Sequence, residues 1–126
     1  MKLLITGGRH LTDEHYETLA SWLHYHRDRY NEIWHGDAIG ADQLTARWCR
    51  ENNYPVHSIK PDYMKHPGKH APLMRNIKLV DGTDETLALH TGELSNGTAH
   101  TVKLSVNARH KTYQLNVVTK HSDILY

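Results

Sequence analysis

Apolar positions recur along the chain with two periods. Residues 2–6 hold the unbroken run Leu3-Leu4-Ile5, the pattern of a strand covered on both faces. Gly7-Gly8-Arg9 breaks it. Thr12 or Asp13 then caps a helix with Tyr16, Leu19, Ala20 and Leu23 at helical spacing, ending near His26. A second strand is predicted over residues 32–35. A helix follows from about 41 to 52, with Ala41, Leu44, Thr45 and Trp48 facing inward. Residues 55–59 read as a third strand, with Pro55 at the position where a strand tolerates proline. Residues 60–71, with Pro61, Pro67 and Gly68, form a long irregular loop of the kind that often carries function. Pro72 suits the first turn of a helix running to about Val80, and Asp81-Gly82-Thr83-Asp84 stops it. A fourth strand covers residues 85–90. A turn-rich segment over 91–97 leads to a helix over about 98–109, with Ala99, Val102 and Val106 on one side and Leu104 off that stripe. The last strand is predicted over 114–118, and the tail from 119 to 126 has no pattern.

This alternation of strand and helix predicts an α/β fold: a three-layer, Rossmann-like open parallel sheet of about five strands with helices on both faces. The natural strand order is 3-2-1-4-5. At 126 residues the chain suits a single domain spanning 1–126. In such sheets ligands bind beyond the carboxyl ends of the strands, where the order reverses. The loops after the first four strands are therefore the places to look.

Composition narrows the functional classes. No apolar stretch approaches the ~18 residues of a membrane span, and the N-terminal apolar run is too short for a signal peptide. Cys49 is the only cysteine, which precludes an internal disulfide and a Cys-rich zinc site and fits a cytoplasmic location. A net charge of +1 argues against a bulk basic footprint for nucleic acid. The mean hydropathy of −0.69 points to a polar, solvated surface and leaves oligomerisation open. Twelve histidines and no Phe are unusual. His10, His35, His66, His70 and His90 fall at or near strand carboxyl ends, which predicts a cationic rim that binds anions better below about pH 6.5. His66 and His70 have a metal-ligand spacing, but Pro67-Gly68 between them cannot sustain a helix, so no metal site is expected. Cys49 has no adjacent base in sequence and reads as a structural thiol.

Glycines concentrate where a ligand would sit. Gly7 and Gly8 follow the first strand, Gly36 and Gly40 the second, Gly92 and Gly97 the fourth. Such glycines serve plain tight turns, and they also let backbone approach a ligand. Three such loops on one edge, each opening a helix with free N–H groups, favour a phosphate cradle. There is neither a Walker A sequence nor a G-x-G-x-x-G fingerprint, and no G-x-S-x-G elbow.

Four motifs together are familiar. They are Ile5-Thr6-Gly7-Gly8-Arg9; His35-Gly36-Asp37-Ala38-Ile39-Gly40-Ala41-Asp42 followed by Ala46-Arg47-Trp48; Arg75-Asn76; and Asn96-Gly97-Thr98. Over residues 1 to about 110 the chain resembles the YspA (YpsA-related) branch of the SLOG superfamily, whose relatives include the LOG phosphoribohydrolases and the DprA/Smf proteins. The resemblance implies a Rossmann-like fold that binds a nucleotide or nucleotide-derived ligand. Gly7, Gly8 and Arg9 would lie beside its phosphate or sugar, and Gly36 and Gly40 would shape a second wall. Asp42 would accept from ribose hydroxyls, or simply favour its helix N-terminus. Arg75 would bind phosphate, or form a surface ion pair. Asn96, Gly97 and Thr98 would bind phosphate through backbone N–H groups and the Thr hydroxyl, or only start a helix. His10, His35, Asp37, Asn76, Thr91 and Gly92 complete the expected ligand-binding set.

One departure bears on catalysis. The LOG enzymes carry a Gly-Gly-x-Gly-Thr-x-x-Glu segment whose Glu is catalytic, and here Thr101 stands at that place. A threonine offers no carboxylate to stabilise an oxocarbenium-like centre. The expected function is therefore a sensor or sequestering protein for a nucleotide or nucleotide-derived small molecule, NAD-derived and cyclic compounds included, with no cofactor required and a homo-oligomer as the expected assembly. The first alternative is a LOG-like hydrolase of nucleoside monophosphates using Glu93 or Asp42. The second is a DprA-like binder of single-stranded DNA, disfavoured by the charge and the lack of an aromatic ladder.

Overall fold

The computed structural model describes residues 1–126. Strands and helices alternate as β1 (Lys2–Gly7), α1 (Tyr16–His26), β2 (Glu32–His35), α2 (Ala41–Glu51), β3 (Val56–Ser58), α3 (His70–Asp81), β4 (Glu85–His90), α4 (Asn96–Asn107), β5 (Lys111–Asn116) and β6 (Ser122–Ile124). Short 3-10 turns at Asp13–His15 and Arg27–Arg29 flank α1. The six-stranded sheet has the order β3-β2-β1-β4-β5-β6. All neighbours are parallel except β5 and β6. The chain moves outward from β1 to β3, then crosses to β4 on the other side, so the switch point lies between β1 and β4.

Both faces of the sheet are covered, which is why its central strands read as unbroken apolar runs. Leu3, Ile5, Leu87 and Leu89 pack against Leu19 and Leu23 of α1 and Leu44 and Trp48 of α2. Leu4 packs on the opposite face with Leu79 and Val80 of α3, flanked by Trp34 and Leu104. Every residue of β4 is buried, including Glu85, Thr86 and His90. No helix is long and apolar enough to cross a membrane.

Four expectations need correction. The last parallel strand is β5 at Lys111–Asn116, not residues 114–118. Its register against β4, Glu85 with Lys111 through His90 with Asn116, decides its limits. Val117 still donates to the His90 carbonyl at 2.8 Å, but the Asn116 side chain then accepts from the Val118 and Thr119 N–H groups and turns the chain. The patternless tail forms β6, held antiparallel to β5 with Tyr113 opposite Ile124 and Leu115 opposite Ser122. The buried face of α4 is not the apolar stripe: Ala99 is exposed, while Thr98, Thr101 and Ser105 are buried. Small hydroxyl side chains fit there because each finds a partner. Thr101 Oγ1 donates to the Gly97 carbonyl at 3.2 Å, and Ser105 Oγ pairs with Thr86 Oγ1 at 2.8 Å, which also contacts His110 Nδ1 at 3.2 Å. The helix begins at Asn96, two residues before the expected start.

Candidate functional site

The first two loops are built as one piece. A Cβ on Gly7 would stand 2.7 Å from Ala41 Cβ and 2.9 Å from Leu89 Cβ, so only glycine lets β1, β4 and the start of α2 converge. Gly40 has φ +80°, and a Cβ there would strike the Gly8 carbonyl oxygen. The Ala41 N–H donates to that same oxygen at 3.2 Å, joining the loop after β1 to the N-terminus of α2.

Two histidines end their strands with the same device. His35 Nδ1 accepts from the Asp37 N–H at 3.0 Å, and His90 Nδ1 accepts from the Gly92 N–H at 3.0 Å. Each ring thus closes its own loop through Nδ1. Burial holds both imidazoles below their ordinary pKa, so neither supplies the expected cationic rim. Of the rest of that rim, only His10 lines the cleft described below; His66 and His70 lie outside it.

Asp42 is buried on the first turn of α2, and its Oδ2 accepts from the Gly36 N–H at 3.2 Å and the Ala38 N–H at 3.1 Å. These bonds shape the loop around Asp37, a non-glycine residue at φ +55°. Its Oδ1 has no partner in the chain. Burial pushes the carboxyl up to about 6, against the pull of the two N–H groups and of Arg75.

Arg75 reaches back from α3 to this loop. Its Nη1 donates to the Gly36 carbonyl, and its Nε donates to Asn76 Oδ1 at 2.8 Å. A Cβ on Gly36 would stand 2.5 Å from Nη1, so the glycine admits the guanidinium. Arg75 is half-buried and forms no ion pair, which removes the surface salt bridge as its role. Burial lowers its pKa from the usual arginine value, opposed chiefly by Asp42. Ser95 caps α4: its Oγ accepts from the Thr98 N–H at 3.3 Å and pairs with Thr98 Oγ1 at 2.8 Å. The Thr98 N–H is therefore committed, while the Asn96 and Gly97 N–H groups make no hydrogen bond.

These parts enclose a cleft of about 690 Å³ over the carboxyl end of β1, at the switch point. Gly7, Arg9, His10, Gly36, Asp37 and Asp42 line it. Arg75, Asn76, Gly97 and Thr98 line it too, Arg75 in contact with Gly36. Gly8 and Gly40 stand behind the wall as packing residues, and His35 is buried beneath it. Thr91 meets the His10 ring at 2.9 Å, outside the lining, as are Gly92 and Asn96. Thr101 lies against the cleft, whereas Glu93 is exposed and does not line it. Sequence reasoning missed Ser95 and an apolar mouth made by Ile39, Pro61, Tyr63 and Leu73. Tyr63 is 58% and Ile39 50% exposed, unusual for such side chains beside a polar cleft. The irregular loop over 60–71 was the available signal for Tyr63. Cys49 is buried, and burial pushes its thiol up to about 12, which leaves it unreactive.

A doubly wound sheet, with glycine-shaped loops and an arginine outside any ion pair at its switch point, defines a Rossmann-like domain. The family described as "YspA, cpYpsA-related SLOG family" matches residues 1–66. The chain is also 35% identical over 111 residues to the "Gene 61 protein" of Mycobacterium phage D29, covering 81% of this chain and 86% of that protein. The chain belongs to the YspA, cpYpsA-related SLOG family. That membership supports a nucleotide-related ligand-binding role in general terms. No solved structure matches the chain.

Proposed function

We propose that the protein binds a phosphorylated nucleotide or nucleotide-derived small molecule in this cleft, as a sensor or sequestering protein. The observation that carries the reading is Arg75, a half-buried guanidinium without a carboxylate, lining the same cleft as the first turn of α4. A buried cation with unspent donors and free helix N–H groups suit an anionic oxygen cluster. Tyr63, Ile39, Pro61 and Leu73 offer a planar base an apolar seat, and Asp42 Oδ1 offers ribose an acceptor. The test is a melting-temperature screen against nucleoside mono-, di- and triphosphates, cyclic nucleotides and NAD-derived compounds. A ligand at 100 times its Kd stabilises by about 2.7 kcal/mol, a shift of several degrees for a domain of this size. Arg75→Ala is expected to weaken binding by about 10- to 100-fold, the worth of one charge-assisted hydrogen bond. Gly97→Asp sets a carboxylate at the anion seat and removes the shift. Shifts indifferent to both changes would move the ligand elsewhere.

A hydrolytic reading has one observation in its favour: the Asp42 carboxyl in the cleft, with its pKa pushed up to about 6. Free base released from a purine monophosphate by the protein, and lost in Asp42→Ala, would establish it.

A further inference from the structure

Arg75 lines the cleft within the field of two carboxylates, Asp42 and Asp37, yet pairs with neither. Asp42 keeps Oδ1 without a partner in the same cleft. A long arginine side chain left to itself would turn to that oxygen and give it the donors an anionic ligand needs. What restrains it is a series of bonds across the loop after β2, α3 and α4. The Gly36 carbonyl takes Nη1, and Asn76 Oδ1 takes Nε at 2.8 Å. Asn76 is buried in α3, and its Nδ2 meets Nδ1 of His100, on α4, at 3.3 Å. Nη2 and the second hydrogen of Nη1 remain for a ligand. His100 itself lies outside the cleft lining.

Each member of the series has one role open to it. Arginine donates and never accepts, so the Asn76 amide must turn Oδ1 to Arg75 and Nδ2 to His100. The His100 ring must then accept at Nδ1. A donor in its place would face the amide N–H groups. The amide could answer it only by turning over, which sets those N–H groups against the Arg75 Nε–H. Either way a buried polar group loses its partner and Arg75 is released. We propose that Asn76 and His100 are positioning residues: they hold the Arg75 guanidinium off Asp42 and Asp37 and open to an anionic group, and they do so only while the side chain at position 100 accepts. The proposal rests on the reading of the cleft as an anion-binding site. It gives His100, outside the lining, a share in the affinity.

Two measurements on the full chain separate this from the reading it rests on. Proton–nitrogen NMR follows exchange of the Arg75 Nε–H with water, its signal assigned by its loss in Arg75→Lys. Inorganic phosphate, titrated into the same samples, probes the anion seat. The Nε–H of the parent is expected to be protected from exchange. Asn76→Leu and His100→Leu are expected to remove the protection and to raise the phosphate Kd by about tenfold, the worth of one hydrogen bond. His100→Asn sets an amide oxygen near the place of Nδ1 and is expected to recover most of both losses. His100→Lys adds a cation but removes the acceptor. It is expected to weaken phosphate binding as His100→Leu does, the opposite of what charge alone would do. Nε–H exchange indifferent to the changes at Asn76 and His100 overturns the proposal. So does phosphate held more tightly by His100→Lys, or His100→Asn no better than His100→Leu. Phosphate that binds neither parent nor variants, with the Nε–H responding as expected, overturns the anion seat instead and leaves the positioning of Arg75 standing.

Discussion

Single residues of the cleft do two jobs, and Asp42 is the clearest case. Its Oδ2 organises the loop after β2, while its burial makes the charge expensive. Folding lifts the carboxyl from an ordinary value near 4 to about 6, so between those pH values the folded chain holds a proton that the unfolded chain lacks. The contribution of Asp42 to stability therefore rises as pH falls through that window, and above it the buried charge costs about 3 kcal/mol. Asp42→Asn keeps an acceptor oxygen and removes the charge. It is expected to stabilise the protein at pH 7 and to make little difference at pH 4, read as the offset between variant and parent denaturation midpoints. Equal offsets at both pH values would place the Asp42 charge in a solvated setting. The parent profile alone does not isolate this, because His35, His90 and His110 are buried neutral and lose stability as pH falls below about 6.5. Histidine position along the chain was legible in sequence. Which imidazoles would be consumed as acceptors for backbone N–H groups was not, because that depends on loop geometry.

At the scale of elements, glycines that look alike in sequence separate by surroundings. Gly40 sits at φ +80° with the Gly8 and Arg9 backbone against it, whereas Gly97 has open space on its Cβ side within α4. Gly40→Ala is expected to destabilise by about 2 kcal/mol or more, through both conformation and collision. Gly97→Ala is expected to be neutral or to stabilise by up to about 1 kcal/mol, since alanine is the better helix former. Denaturant titration of both variants reads this directly; similar losses would mean that Gly97 also serves a tight approach. The helices and strands were mostly legible, because β1, β2 and β4 alternate with amphipathic α1 and α2. Besides the tail that becomes β6, two elements misled. Val117-Val118 extends the apolar signal past the end of β5, whose length is set by pairing with β4. The inner face of α4 is hydroxyl-bearing, and those groups are tolerated only because Thr86, Gly97 and Ser95 answer them.

For the whole molecule, a net charge of +1 is the sum of separated parts. Arg9 and Arg75 face the cleft, Asp42 is buried beside it, and Lys60 is spent on Asp37 at 3.6 Å. Within the cleft, only those two arginines could track a nucleic-acid backbone. Binding of single-stranded DNA is expected to be weak, with log affinity falling against log salt no more steeply than about −1.5, the slope of roughly two phosphate contacts. A markedly steeper slope in a fluorescence-anisotropy titration would revive the DNA-binding reading.

Period and punctuation determined the class of the fold. Continuous apolar runs covered on both faces, helices between them and glycines at strand ends leave one economical arrangement, and its switch point locates the cleft. Local chemistry determined the four motifs in the same way. Only the tertiary structure decided what each polar group has left to offer. Arg75 lacks an acid, Asp42 has one oxygen spent and one free, His35 and His90 have each spent Nδ1 on a loop N–H, and Thr98 has given its N–H to Ser95. The physical reason is that hydrogen-bond partners distant in sequence are fixed by packing, not by periodicity. The edge strand β6 follows from the same cause: a segment without apolar pattern becomes a strand because β5 offers it an edge.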